Sequence, residues 1–186
     1  MKLGIIIAST RPGRTGPKVA QWLFDAVSAH QAVEPEILDL LDFDLPLFDE
    51  PKHPRLGNYA HAHTLRWAEA VGRNDAFVVV TPEYNHMPPS SLVNAVTFLG
   101  PEWGFKPVAI ASYGGVSGGL RAAQQLKLLL LAVKAVPISE GLIIPTVAKQ
   151  VVEGAFVPNE LQIESADTSV AALVKWNTAL AQLRTR

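Results

Sequence analysis

Residues 3–17 read LGIIIASTRPGRTGP and carry the strongest fold signal in the chain. The run Leu3–Ala8 is apolar on both faces, as a buried parallel strand requires. A helical pattern begins near Lys18, where apolar residues recur at i, i+3, i+4, i+7 and i+8 from Val19. The loop 9–17 between them holds two arginines, two glycines and three hydroxyl residues, more than a plain turn needs. The stretch therefore predicts a strand, an anion-binding loop and a helix.

The rest of the chain continues this alternation. Further strands are predicted at Val33–Leu40, Ala76–Val80, Val108–Ala111 and Gly141–Pro145. Further helices are predicted at Tyr59–Val71, Ser90–Leu99, Gly119–Val133 and Asp167–Leu183. Strands and helices in strict alternation predict a three-layer, doubly wound α/β fold with a parallel sheet. At 186 residues, the chain is expected to form a single domain over residues 1–186.

Composition excludes several classes of function. The net charge of −1 gives no electrostatic reason to expect binding to nucleic acid or to an anionic membrane. The absence of cysteine excludes disulfides, thiol catalysis, Fe–S clusters and cysteine-ligated zinc. The apolar start is too short for a signal peptide and lacks its flanks, so a cytoplasmic location is expected.

In a doubly wound sheet, ligands bind beyond the carboxyl ends of the strands, near the point where strand order reverses. Three loops that follow apolar strands meet this condition: 9–17, 81–89 and 112–119. All three are rich in glycine, proline or hydroxyl residues. They are therefore predicted to form one site.

The first of these loops has the chemistry of an anion site. A helix N-terminus offers free amides and about half a positive charge. Ser9 and Thr15 add hydroxyl donors, and either Arg11 or Arg14 can add a charge-assisted bond. Neither the Walker A pattern nor G-x-G-x-x-G is present. The alternative is an ordinary turn that Thr15 caps.

The other two loops provide a rigid wall and a close backbone approach. Prolines 82, 88 and 89 stiffen the second loop, and Ser90 or Ser91 is expected to cap the next helix. The third loop has four glycines in the six residues 114–119, which lets backbone approach a flat ligand. The alternatives are ordinary polar loop residues in the second loop and a flexible turn in the third.

Four segments carry a resemblance to a known family. They are STRPGRTG at 9–16, LDLLDFDLPLFDE at 38–50, TPEYN at 81–85 and YGGVSGGLRA at 113–122. Through them the chain resembles the NADPH-dependent FMN reductases, which have a flavodoxin-like fold, over residues 3 to about 135. The resemblance implies a five-stranded sheet of order 2-1-3-4-5 and bound FMN.

The resemblance also implies roles for individual residues. The FMN phosphate would be held by Ser9, Arg11, Arg14, Thr15 and Gly16, with Pro17 and Lys18 opening the helix behind it. One side of the flavin ring and its ribityl chain would be lined, mainly by backbone, by Pro82, Glu83, Tyr84 and Asn85. The other side would be closed by Ser112, Tyr113, Gly114 and Gly115. The ending Arg14-Thr15-Gly16-Pro17 replaces a Ser-x-Asn ending of many relatives, which leaves open which arginine contacts the phosphate.

In such an enzyme the flavin carries the chemistry, so no catalytic residue and no metal are expected. NADPH or NADH would donate hydride, and a quinone, free flavin, azo compound or metal oxyanion would accept the electrons. His61 and His63 are predicted to point to different faces of a helix, which disfavours a metal site. Two alternatives stay open: an FMN-binding electron carrier that uses no pyridine nucleotide, and a non-enzymatic nucleotide-binding protein.

One helix is more apolar than a single core face needs. Its apolar residues are Leu126, Leu128, Leu129, Leu130, Leu131 and Val133. A helix that is apolar nearly all round is either deeply buried or shared with a partner. We expect a homodimer or a homotetramer, as the resemblance also implies.

Overall fold

The computed structural model describes residues 1–184. Five parallel strands form one sheet in the order β2-β1-β3-β4-β5. The strands are β1 (Lys2–Ile7), β2 (Glu34–Asp39), β3 (Ala76–Pro82), β4 (Pro107–Tyr113) and β5 (Val136–Ile144). The predicted doubly wound, flavodoxin-like fold is confirmed.

Helices cover both faces of the sheet. They are α1 (Gly16–Ser28), α2 (Leu40–Phe43), α3 (Ala62–Gly72), α4 (Ser90–Thr97), α5 (Leu120–Ala132) and α6 (Glu160–Arg184). The buried side chains of α1 and α6 pack on one face, and those of α3, α4 and α5 pack on the other. In β1, Ile5 and Ile7 face α1 and α6, whereas Ile6 faces the opposite layer. A strand buried on both faces needs this unbroken apolar run.

Two elements start earlier than the sequence indicates. Strand β5 begins at Val136 and not at Gly141. The sequence pattern misses its first residues because the polar pair Ser139 and Glu140 interrupts the apolar run. Helix α6 begins at Glu160 rather than Asp167. Its first turn is closed locally, since the Asn159 and Gln162 side chains each accept a hydrogen bond from the other's main-chain amide at 2.9 Å.

Other elements escape the sequence patterns altogether. The short α2 and a two-stranded hairpin of β6 (Val151–Val152) and β7 (Ala155–Phe156) were not predicted. Elements this short provide too few residues for a hydrophobic period. Within residues 1–184, no helix combines the length and the apolar character needed to cross a bilayer.

The predicted serine cap of α4 is wrong. Pro89 occupies the N-cap position of this helix, and no side chain caps it. The Ser91 hydroxyl instead donates a hydrogen bond to the carbonyl oxygen of Ala8 at 2.6 Å. This bond ties the start of α4 to the end of β1, next to the first predicted loop.

Candidate active site

The three predicted loops lie together at the carboxyl edge of the sheet. Strand β1 pairs with both β2 and β3, so the strand order reverses at β1. Pro82 at the end of β3 is the register partner of Tyr113 at the end of β4. The Ser9 and Tyr84 hydroxyls lie 2.6 Å apart and join the first loop to the second. The sheet therefore brings the three predicted loops together at one edge.

The N-terminus of α1 has no internal cap. Thr15 is the N-cap residue, but its side chain makes no capping hydrogen bond, and the first turn contains no acidic residue. Arg11 is exposed and forms no ion pair with any residue in the described chain. The alternative of an ordinary turn capped by the Thr15 side chain is therefore wrong. A helix start without an acidic cap, with an unpaired cation beside it, fits an anionic group, and Pro17 at the start of the helix leaves this end preorganised.

Gly16 is needed where α1 passes close to the sheet. A Cβ atom here would lie 3.0 Å from the Tyr113 hydroxyl oxygen and 3.1 Å from Cγ2 of Ile7. Tyr113 is buried, and burial with the neighbouring Tyr84 raises its pKa well above the usual value, so the phenol stays protonated. The Tyr113 side chain lies beneath the first loop, whereas its main chain belongs to the third loop.

Arg14 is already paired within the protein. Its two terminal nitrogens each lie 2.5 Å from an oxygen of the Asp39 carboxylate, and Nη1 also donates to the Ser9 carbonyl oxygen at 2.6 Å. The hydrogen bond to Asp39 raises the pKa of Arg14 despite its burial. Asp39 also caps α2 by accepting the Leu41 amide at 3.0 Å. Arg14 therefore braces the first loop against β2, and Arg11 keeps the free charge.

Sequence reasoning missed Asp39 as a site-supporting residue. The available signal was its place at the end of the β2 apolar run, within the segment 38–50 that carries the family resemblance. A carboxylate at the carboxyl end of a strand next to an arginine-bearing loop is positioned to pair with that loop.

The second loop makes a tight two-residue turn. Tyr84 and Met87 exchange main-chain hydrogen bonds of 2.9 and 3.0 Å around Asn85 and His86. Asn85 and His86 have φ angles of 51° and 68°, which is the geometry of a type I′ turn. Asparagine and histidine both adopt this conformation more readily than most non-glycine residues. The turn holds the main chain of Asn85 rigidly at the rim of the site.

The third loop is hydrogen-bonded along its length, which disfavours a flexible turn. Gly115 accepts the Thr146 amide at 2.7 Å, and Gly114 accepts the Val147 amide at 3.1 Å. A Cβ on Gly115 would meet no atom within 4 Å, so this residue faces open space. The Ser112 hydroxyl is buried without a hydrogen-bond partner in the described chain. It lies near Gly119, because a Cβ there would be 3.0 Å from the Ser112 Cβ.

The Glu83 carboxylate turns away from the second loop toward α5. It accepts hydrogen bonds from the amides of Arg121 and Ala122 at 3.0 and 3.3 Å and from Arg121 Nη1 at 3.2 Å. Burial alone would raise the pKa of Glu83, but these bonds lower it below the ordinary glutamate value. The hydrogen bonds of this carboxylate are therefore made to groups of the protein itself.

The prediction that His61 and His63 point to different faces is wrong. Their rings stack, with centroids 5.2 Å apart and planes 13° apart. His61 is the N-cap residue of α3 and has extended backbone, so helical spacing does not apply to it. His63 Nε2 lies 3.0 Å from Asp49 Oδ1. Over residues 1–184, no group of three or more histidine, aspartate or glutamate side chains is arranged to hold a metal.

The fold and this site together define a class of protein. A sheet of order 2-1-3-4-5, with an anion-ready helix N-terminus at the reversal of strand order, is the flavodoxin-like arrangement for a flavin mononucleotide. The residues fit that group: the start of α1, with no acidic cap and with Arg11 beside it, suits the phosphate, and two loops next to it suit a flat ring.

Comparison with known proteins gives the family. The model of the NADPH-dependent FMN reductase family matches residues 1–149, and the chain belongs to that family. It is therefore a flavin-dependent oxidoreductase, with FMN and NAD(P)H as its cofactors.

Three relatives illustrate the range of the similarity. An NAD(P)H-dependent FMN reductase of Schizosaccharomyces pombe is 35% identical over 161 residues, which are 84% of this chain and 79% of the relative. A quinone reductase of Escherichia coli is 33% identical over 143 residues, covering 73% and 72% of the two chains. The solved structure of FerB, a flavoenzyme NAD(P)H:(acceptor) oxidoreductase from Paracoccus denitrificans, has a TM-score of 0.76 at 24% identity. The structural match covers 96% of this chain and 97% of the FerB chain.

Proposed function

We propose that this protein holds FMN with the phosphate at the N-terminus of α1 and transfers hydride from NADPH or NADH to a quinone or a similar small electron acceptor. One observation carries the proposal: the N-terminus of α1 lacks an internal cap while an unpaired arginine lies beside it. Quinone reduction is the activity named for the Escherichia coli relative, and FMN reduction is named for the Schizosaccharomyces pombe relative.

The phosphate end is assigned to a subset of the first loop. Arg11 supplies the charge, Thr15 supplies a hydroxyl donor, and Gly16 lets the start of α1 lie close to the sheet, with Lys18 in the same helical turn. Ser9 and Arg14 act indirectly, since the Ser9 hydroxyl contacts Tyr84 and Arg14 is held by Asp39. Pro17 fixes the backbone at the start of the helix.

The ring end is assigned to main chain from two loops. Residues 82–85 form one wall and residues 112–115 the other, because both loops leave adjacent strands at the same level. FMN bound between them would supply the redox chemistry by accepting hydride from a nicotinamide. The protein's part is to orient the ring, to satisfy its polar edge and to keep one face open.

Flavin binding and turnover test the proposal directly. Apoprotein is titrated with FMN and with riboflavin, which lacks the phosphate, and the loaded protein is then assayed with NADPH or NADH and a panel of acceptors. We expect FMN to bind far more tightly than riboflavin and NAD(P)H to be oxidised with quinone. Tight FMN binding without NAD(P)H oxidation would indicate an electron carrier, and no flavin binding would refute the proposal.

We also propose that the protein is a homodimer or homotetramer that associates through α5. Leu126 and Leu130 of this helix are buried in the core, whereas Leu128 and Leu131 remain 64% and 57% exposed. Solvent-exposed leucines in this number on one helix are typical of an association surface. Light scattering of the wild type and of Leu128→Glu tests this: a wild-type protein that is monomeric at micromolar concentration would refute it.

A cytoplasmic location is part of the same proposal, because the hydride donor NAD(P)H is supplied there. Fractionation of the source cells, with immunodetection of the protein, tests it. Recovery in an extracellular fraction would refute it.

A further inference from the structure

Helix α5 begins without any means of capping itself. Its N-cap residue is Gly119, which has no side chain and a φ angle of 81°. The first turn contains no acidic residue. A helix start of this kind leaves several amides to be satisfied from elsewhere.

Glu83 supplies the missing cap from another part of the chain. Besides its bonds to the amides of Arg121 and Ala122 and to the Arg121 guanidinium, its Oε1 lies 3.5 Å from the Ser117 hydroxyl. Its side chain is only 10% exposed, so these bonds are largely shielded from water. One carboxylate thus contacts both the third loop and the helix that follows it.

The position of Glu83 makes this cap a link between the two walls of the site. Glu83 directly follows Pro82, the last residue of β3, and so belongs to the wall formed by residues 82–85. The third loop is held on its other side, beyond β5, where Gly115 accepts the Thr146 amide and Gly114 accepts the Val147 amide. The loop is therefore fixed between β5 on one side and Glu83 on the other.

We propose that Glu83 is a positioning residue that sets the separation of the two loops between which the flavin ring lies. This inference rests on the function proposed above. The Glu83 carboxylate acts through α5 and the third loop and does not itself contact the flavin. Its loss lets the third loop move away from the second, which weakens the grip on the ring and leaves the phosphate end of α1 intact.

Glu83→Gln tests the proposal, with Glu50→Gln as a matched control. Glu50 is also a buried carboxylate that accepts two main-chain amides, those of Ala60 and His61, but it lies before α3 and outside the three loops. In Glu83→Gln, we expect FMN and riboflavin affinities to fall by the same factor, about tenfold. In Glu50→Gln, thermal stability falls while both flavin affinities stay at the wild-type value.

Hydrogen exchange gives a readout that needs no flavin. In Glu83→Gln apoprotein, amides of residues 114–122 should exchange faster than in the wild type, while those of α1 should not change. Arg121→Ala, which removes one of the bonds to Glu83 and keeps both main-chain bonds, should show the same pattern with a smaller amplitude.

The outcomes separate this inference from the proposed function. Wild-type protein that binds neither flavin would refute both. Wild-type protein that binds flavin, with riboflavin affinity unchanged in folded Glu83→Gln, would refute the positioning role alone. Loss of FMN affinity without loss of riboflavin affinity would also refute it, since that pattern belongs to the phosphate end.

Discussion

The N-termini of α1 and α5 differ in how their free amides are satisfied. Both helices follow parallel strands and begin at the same edge of the sheet, so both direct the positive end of a helix dipole toward the site. At α5, the Glu83 carboxylate occupies this end. At α1, no acidic side chain does so, and Arg11 and Thr15 add further attraction for an anion. The proposed place of the phosphate is therefore the helix start that lacks an internal carboxylate, and glycine content does not distinguish the two ends.

Arg14 and Arg11 show the same contrast within one loop. Arg14 is satisfied by Asp39, and its side chain is 13% exposed. Arg11 lies three residues earlier and has no such partner in the described chain. One arginine therefore shapes the loop, and the other is left to meet the ligand.

Gly16→Val should have the largest effect, because it obstructs the α1 end directly. The added side chain would collide with the Tyr113 hydroxyl and with Ile7, so the start of α1, where the phosphate is proposed to bind, would have to move away from the sheet. We expect FMN affinity to fall roughly a hundredfold. Fluorescence titration measures the affinity, and a thermal melt shows whether the variant is folded.

The matched control for this substitution is Gly72→Val. A Cβ at Gly72 meets no atom within 4 Å, and the residue lies at the far end of α3. This variant should bind FMN as the wild type does. Normal FMN binding by folded Gly16→Val would show that the phosphate does not lie at α1.

Arg14→Ala should act on stability. It leaves the Asp39 carboxylate, whose side chain is 14% exposed, without its partner and removes the brace on the Ser9 carbonyl. We expect a loss of about 2 kcal/mol in the free energy of unfolding, measured by urea denaturation. A double-mutant cycle with Asp39→Ala should recover a coupling energy of about 1–2 kcal/mol. Additive effects of the two substitutions would contradict the pairing.

Arg11→Ala should act on FMN binding alone. Removing one charge-assisted contact to the phosphate should weaken FMN about tenfold and leave riboflavin affinity and thermal stability unchanged. Lys175→Ala, at an exposed position of α6, serves as the control for loss of a surface charge. Unchanged FMN affinity would remove Arg11 from the site.

The smallest expected effect is a pH dependence of the free energy of unfolding, which comes from the carboxylate cap of α5 and has no counterpart at α1. Because the pKa of Glu83 is lowered in the folded protein, its cap stabilises the fold above the ordinary glutamate pKa of 4.5. That contribution disappears as the pH falls through the lower, folded-state pKa. At pH 7 the wild type should exceed Glu83→Gln by about 1 kcal/mol in the free energy of unfolding. Denaturation curves at pH 7 and at a pH below the folded-state pKa of Glu83 measure the difference between wild type and Glu83→Gln. A difference that persists at the acidic pH would contradict the assignment.

The sequence was most informative where structure depends on near neighbours. The strands β1 and β3 were predictable because a strand buried on both faces must be apolar throughout, and the three loops follow from the ends of the strands. The anion site proposed at α1 could be inferred because its candidate donors lie within one short segment, although the pairing that separates Arg11 from Arg14 could not. That choice depends on Asp39, which lies 25 residues away from Arg14.

The failures arise from helix boundaries and distant partners that the local sequence does not reveal. Ser91 has a suitable side chain for a helix cap, but Pro89 occupies the N-cap position, and the Ser91 hydroxyl donates to the Ala8 carbonyl oxygen from within the helix. Helical spacing failed for His61 because the residue precedes the first helical turn. Glu83 resembles an ordinary polar loop residue in the sequence, because nothing near it indicates that the start of α5 will need its carboxylate.

The cap of α5 has a consequence for the order of folding. Glu83 and Arg121 are 38 residues apart, so closing this contact carries the entropy cost of a long loop. The cap of α6 joins Asn159 and Gln162, which are only three residues apart. Helix α6 can complete its first turn in a largely unfolded chain. We expect the first turn of α5 to become stable only after β3 and β4 have paired, so this part of the proposed flavin site should be among the last to form.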